Sequence, residues 1–266
     1  MNDHDTMARY VLTLQYDGTD FVGWQSQPSG RTIQTTIEER IQTILREPLP
    51  IVGAGRTDTG VHARKMMAHI DFSESREEEL PELFFRLNRF LPHDIAICSL
   101  HKVSPEFHAR FSATSRTYRY YISLVRSPFT RHFYTYVPWA LDFELMNETA
   151  QSLLGTKDFT TFSKSHTDVY THICQVKCVQ WKALGNDTYC FEITANRFLR
   201  NMVRATVGTL MDVGRGKITK AEFIKRLDLK DRTQNITTAP ATGLFLEEIT
   251  YPEELIGDLL WKASAE

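Results

Sequence analysis

Apolar residues recur along this chain in two rhythms, and each half of the sequence plays them in the same order. Tyr10 to Leu14 is a short strand-forming run. From about Thr32, Ile33, Ile37, Ile41 and Leu45 fall four apart, which places them on one face of a helix. Ile51-Val52-Gly53 leads into a Gly-rich loop. Met66 to Phe72 then predicts a strand, Leu83 to Leu91 a helix, and Ile95-Ala96-Ile97 the start of another strand. Thr117 to Leu124 opens the second round as a Tyr-rich strand, and Leu145 to Leu154 is a helix stopped at Gly155. Cys174 to Ala183 and Thr188 to Ala195 read as a strand pair turned at Gly185-Asn186-Asp187. Helices over Arg200 to Val213 and Lys220 to Leu227 follow, and Leu244 to Ile249 is the last strand, ended before Pro252.

The order β-α-β-β-α-β thus appears twice, as a repeat of pattern only. It predicts an α+β fold of two ferredoxin-like halves sharing a mixed, mostly antiparallel sheet with helices on one face. The halves are expected over residues 1–106 and 107–266. The open sheet face would suit single-stranded RNA, which several RNA modules bind in this way.

Composition narrows the class without changing that outline. With 266 residues, 42% of them hydrophobic and 24% charged, the chain has ample material for a core. No apolar run approaches the roughly 18 residues of a membrane helix. The polar, acidic start Met1-Asn2-Asp3-His4-Asp5 shows no secretory signal, so a cytoplasmic protein is expected. Cys98, Cys174, Cys178 and Cys190 then read as reduced thiols. Cys174 and Cys178 lack the second pair that a zinc finger needs, so no metal is expected.

The net charge of −2 hides a polarised distribution. From Phe107 to Leu141 there is no Asp or Glu, while Arg110, Arg116, Arg119, Arg126 and Arg131 alternate with ten aromatic residues. Cations neutralise phosphates and rings stack on unpaired bases, so the stretch is a candidate RNA surface. The competing reading makes the aromatics strand-borne core and the arginines their solvated faces.

The densest chemistry lies in Ala54-Gly55-Arg56-Thr57-Asp58-Thr59-Gly60-Val61-His62-Ala63. Two glycines frame a shaped loop, and Arg56 can favour the ionised form of Asp58. A fixed carboxylate on such a loop is a candidate nucleophile or base, and the plain alternative is a tight turn with a surface ion pair. A glycosidase is disfavoured because no second carboxylate accompanies Asp58 within the loop. Gly53, Gly55 and Gly60 match neither phosphate-binding glycine pattern, so no nucleotide cofactor is expected.

This loop resembles the G-R-T-D-x-G-V-H-A loop of the tRNA pseudouridine synthase A family. Leu14-Gln15-Tyr16-Asp17-Gly18-Thr19 with Phe21-Val22-Gly23-Trp24-Gln25 resembles the family's opening motif. Phe107-His108-Ala109-Arg110-Phe111-Ser112-Ala113 running into Arg116-Thr117-Tyr118-Arg119-Tyr120 is similar too. So are Leu154 to Phe159, Met202-Val203-Arg204, Ala239-Pro240 and Gly243 to Leu246. The segments keep the family's order and span nearly the whole chain. Thr59 and Ala205 depart from the usual Ala and Asn, and neither carries chemistry.

The resemblance implies an isomerase that converts uridine to pseudouridine at positions 38, 39 and 40 of the tRNA anticodon arm, without cofactor, as a homodimer. It implies Asp58 as the catalytic carboxylate, Tyr118 as the ring that stacks on uracil, and Arg204 as the cation that keeps Asp58 charged. Attack at C1′, addition at C6 and elimination through C2′ all remain open for Asp58. Arg56 becomes a candidate backbone contact that props the flipped-out space. Arg110, Arg116, Arg197 and Arg200 are candidate RNA contacts, with Arg197, Arg200 and Arg204 on one helix face if the helix begins early enough. The non-enzyme alternative is an RNA-binding module in which Asp58 is structural.

Overall fold

A computed structural model describes residues 6–164, 170–231, 233 and 236–263. The described chain forms two compact units. The first comprises residues up to 114 together with residues from 246 onward, and the second comprises 115–245.

The first unit contains β1 (Met7–Tyr16), α1 (Ile33–Leu45), β2 (Val52–Gly53), β3 (His62–Ser73), α2 (Leu80–Phe90) and β4 (Ile95–Val103). β1 lies between β4 and β3, β2 pairs with β3, and every one of these pairs is antiparallel. That is the split β-α-β order predicted from the pattern. Thr32 starts α1 by accepting the Thr35 N–H at 3.1 Å, and Arg46 ends it in the left-handed region at φ 60°. The predicted stripe is real at Ile33, Ile37 and Ile41, which are fully buried. Both faces of β1 are buried at Tyr10, Val11 and Leu12, as suits a central strand.

The second unit contains β5 (Ser115–Ser123), β6 (Thr135–Tyr136), α3 (Phe143–Ala150), β7 (Gly155–Asp158), β8 (Ile173–Gly185), β9 (Thr188–Ala195), α4 (Met202–Gly214) and α5 (Lys220–Leu229). Its strands run in the order β5-β9-β8-β7, antiparallel, with β6 parallel to β5. The predicted turn between β8 and β9 has Gly185, Asn186 and Asp187 all at positive φ, as a tight hairpin requires. β10 (Leu244–Thr250) crosses the boundary between the units. It is not the last strand. β11 (Ile256–Lys262) follows and pairs antiparallel with β4.

One asparagine in each unit pins a helix to a strand. Asn88 of α2 donates to the Ile97 carbonyl at 2.7 Å and accepts its N–H at 2.8 Å. Asn147 of α3 does the same for Trp181 of β8, at 3.0 and 2.6 Å. Each amide satisfies two backbone groups that a helix packed on a strand would otherwise strand. Among the described residues, no helix is long and apolar enough to cross a membrane.

His69 of β3 is only 4% exposed, and its Nδ1 accepts the Ala109 N–H at 3.2 Å. Burial, then the positive charge of Arg9 and the neighbouring His108, lowers its pKa from 6.5 to about 4 against the opposing pull of Asp71. A base whose folded pKa is depressed resists protonation that the unfolded chain accepts. Stability from this group is therefore complete above pH 6.5 and lost as pH falls towards 4, by about tenfold in the folding constant per pH unit. Urea midpoints across this range should show that slope, and His69→Gln should flatten it. Equal slopes in the two proteins would exclude His69 as its source.

Candidate active site

Two separated segments of the first unit close on Thr57, the residue before Asp58. The Tyr16 hydroxyl at the end of β1 lies 2.9 Å from Thr57 Oγ1. The Trp24 N–H donates to the Thr57 carbonyl at 3.2 Å, and the Thr57 side chain is buried. On the other side of Asp58, the Gly60 N–H donates to Phe21 O at 3.2 Å. The Val61 N–H donates to the Asp58 carbonyl at 3.1 Å, which closes a turn with Gly60 at φ 75°. Behind the loop, buried His62 accepts the Gly18 N–H on Nδ1 at 3.0 Å.

The backbone on either side of Asp58 is therefore gripped by groups that need no contribution from its carboxylate. Asp58 as a residue is half-buried, and Arg56 is exposed on the same loop. A carboxylate carried on so fixed a backbone can act without first being ordered, which is where positioned groups gain rate. Two close approaches explain two glycines. A Cβ on Gly18 would sit 2.0 Å from Val61 O, and one on Gly23, at φ 105°, would sit 2.4 Å from Thr57 O. These supporting residues lie in the opening motif, where composition and spacing give them no role. Only the order of the motifs links them to the loop.

In the second unit, β5 presents three tyrosines within four residues, and their surroundings separate them. Tyr120 is fully buried, and its hydroxyl donates to Pro240 O at 2.8 Å and lies 2.7 Å from Thr135 Oγ1. Burial pushes that hydroxyl's pKa upward. Tyr121 is buried against Phe245 and Tyr134. Tyr118 is half-buried, with Phe198 edge-on at 5.0 Å between ring centres. Of the three it is the one placed to offer ring surface to a ligand. Its strand neighbour Arg116 donates to Asn196 O at 3.1 Å, at the start of the loop that carries Phe198.

The basic, aromatic stretch divides between its two readings. Phe107, Tyr120 and Tyr121 are core, while Phe111, Phe129, Tyr136 and Trp139 are exposed. Arg119 is paired with Glu192 at 2.7 Å, alongside Lys182 at 2.9 Å. Burial would raise the Glu192 pKa, but hydrogen bonds from Lys182, Arg119 and Gln180 together bring it down to about 2.

Arg204 lies in the first turn of α4. Its Nε donates to Ala239 O at 2.8 Å, and its carbonyl accepts the Ala239 N–H at 3.0 Å. The same segment is bound further along, where Thr237 Oγ1 donates to the Asp212 carboxylate. Gly208 permits this approach, since a Cβ there would lie 2.2 Å from Thr237 O. The Ala239-Pro240 motif thus fixes the plane of the Arg204 guanidinium. The expected three-arginine helix face does not form. Asn201 adopts φ 67° and α4 starts only at Met202, so Arg197 and Arg200 sit in the preceding loop, off the helix that carries Arg204. Arg200 is exposed and Arg197 is half-buried.

Cys174 is buried, which pushes its thiol up to about 11 and keeps it protonated. Among the described residues, no three His, Cys, Asp or Glu side chains are grouped to hold a metal.

Comparison with known proteins points one way. A family model described as tRNA pseudouridine synthase matches residues 13–112 and 149–252. The tRNA pseudouridine synthase A of Parabacteroides distasonis is 50% identical over 252 residues, 94% of this chain and 98% of the relative. That of Bacteroides fragilis is 46% identical over 94% of this chain and 99% of its own length. The Bacillus pumilus protein of the same name is 40% identical over 90% of this chain and 97% of its own.

Proposed function

The chain belongs to the tRNA pseudouridine synthase family, and from that premise we propose that it isomerises uridine to pseudouridine at positions 38, 39 and 40 of the tRNA anticodon arm. It does so in the cytoplasm, as a homodimer. The reaction breaks the bond between ribose C1′ and uracil N1, turns the ring, joins C5 to C1′ and releases the C5 proton. No electron changes hands and no group leaves the RNA, so the chain's own side chains suffice.

Asp58 supplies the ionised carboxylate that all three routes require, whether it attacks C1′, adds to C6 or promotes elimination through C2′. The observation that carries this reading is the grip on Thr57 and Gly60, which holds the Asp58 backbone from both sides. The target nucleotide leaves its stack at a cost of a few kcal/mol, which pocket contacts recover. Tyr118 stacks on the extruded uracil, and Arg204 keeps positive charge at the carboxylate while it reacts. Arg56, Arg110, Arg116, Arg197 and Arg200 meet the RNA backbone, where each cation released from the tRNA's counterion shell favours binding.

Transfer RNA labelled with tritium at uridine C5 tests the assignment. Wild-type protein should release the label into water from tRNAs carrying uridine at 38, 39 or 40, and release none when these positions hold cytidine. A folded protein that releases no label from several such tRNAs would overturn the reading.

A further inference from the structure

The segment from Phe107 to Ser112 is a turn built to hold one ring in solvent. Its base is fixed in the first unit. Ala109 gives its N–H to the buried His69 at 3.2 Å, and its carbonyl accepts the Tyr251 hydroxyl at 2.6 Å. Arg9 donates to the Phe107 carbonyl at 2.8 Å. Its tip is fixed by His108. The His108 Nδ1 accepts the N–H groups of Arg110 at 3.1 Å and Phe111 at 3.3 Å. Ser112 closes the other side, accepting the His108 N–H at 2.9 Å and donating its own N–H to the His108 carbonyl at 2.9 Å.

On this frame Phe111 is 74% exposed. Its ring lies 4.4 Å from the His108 ring at 38°, and His108 in turn meets His69 at 4.9 Å. The Arg110 guanidinium carbon is 5.3 Å from the Phe111 ring centre. A single exposed phenylalanine is ordinary on a protein surface. One backed by a second ring, on a turn whose N–H groups from Phe107 to Ser112 are all bonded, has already given up the freedom that binding would otherwise remove. A rigid aromatic face beside a cation matches an unpaired base and its phosphate.

We propose that Phe111, backed by His108 and flanked by Arg110, is a stacking platform for one unpaired tRNA nucleotide other than the uridine that reacts. The assignment rests on tRNA being the substrate. It makes Phe111 a binding residue that sets where the RNA lies, with no part in the bond changes. Stacking of one base on one ring is sequence-tolerant, which fits an enzyme that accepts several tRNAs.

Phe111→Ala and Phe111→Trp test it, each checked for thermal midpoint and for size by sedimentation. Phe111→Ala should weaken tRNA binding about ten- to a hundredfold, with the loss in KM rather than in kcat. Phe111→Trp should restore binding, and its added indole fluorescence, taken as the difference from wild type, should be quenched by tRNA. An active Phe111→Ala enzyme that binds tRNA as wild type does would overturn the platform and leave the synthase reading intact. Absence of quenching in Phe111→Trp would also overturn it. So would a change of oligomeric state in folded Phe111→Ala, because the ring would then be a protein contact. Loss of tritium release by the wild type, with Phe111-dependent RNA binding retained, would sink the synthase reading and not the platform.

Discussion

Asp58→Asn should reduce tritium release from C5-labelled tRNA by about a thousandfold or more, while tRNA binding stays within about twofold of wild type. The magnitude follows from the role. A positioned acid, base or nucleophile contributes roughly 10²–10⁴ to rate, and asparagine keeps the size and shape of the side chain while removing its charge. The fold should hold, because the loop is fixed through the Thr57 carbonyl, the Thr57 hydroxyl and the Gly60 N–H, none of which belongs to the Asp58 side chain. Single-turnover release, a filter-binding isotherm and a thermal midpoint on the same preparation separate the readings. Turnover retained by Asp58→Asn would remove it from the chemistry. A collapsed midpoint would make it a structural residue.

Gly23→Ala should cost about 3 kcal/mol or more and take activity with it. Two penalties coincide there. The backbone sits at φ 105°, where a side chain is strained, and the new Cβ would lie 2.4 Å from Thr57 O and 3.3 Å from the Asp58 carbonyl carbon. The clash is with backbone, so it is relieved only by moving the loop that carries the carboxylate. Gly55 offers the control in that loop. A Cβ there meets nothing within 4 Å, so Gly55→Ala should stay within about 0.5 kcal/mol of wild type. Urea unfolding of the three proteins measures both. Equal stability of Gly23→Ala and Gly55→Ala would refute the close-approach account.

The parts of the fold that were legible in the sequence are those whose signal is local. The α1 stripe is a spacing, and the β8–β9 turn is a run of residues that tolerate positive φ. β11 was not legible. Ile256-Gly257-Asp258-Leu259-Leu260-Trp261-Lys262 mixes a glycine and an aspartate into a short run, and it becomes a strand because the edge of β4 is there to pair with. The start of α4 departs from the predicted Arg200 for a related reason. Arginine at 197, 200 and 204 has helical spacing, but the backbone at Asn201 turns left-handed and breaks the register. At the candidate site, the chemical residues stood out by type, and their supports did not. Nothing in Tyr16 or Gly23 as residues announces a contact with Thr57, some forty and thirty-four positions away. By residue type alone Tyr118 is indistinguishable from Tyr120 and Tyr121; the family resemblance alone singles it out, and burial separates the three as well.

The return of β11 to the edge of β4 also sets a timetable for synthesis. A ribosome adds about 5–20 residues per second. Residues 115–245 leave it as one continuous stretch that carries β5 to β9 and α3 to α5. The first unit, begun earlier, lacks the β4 partner until residues 256–262 have been made. For on the order of ten seconds, the nascent chain therefore carries an open sheet edge, the kind of surface that recruits a neighbouring strand. The unit that starts first is completed last, and the inserted unit can close while its host still waits on the ribosome.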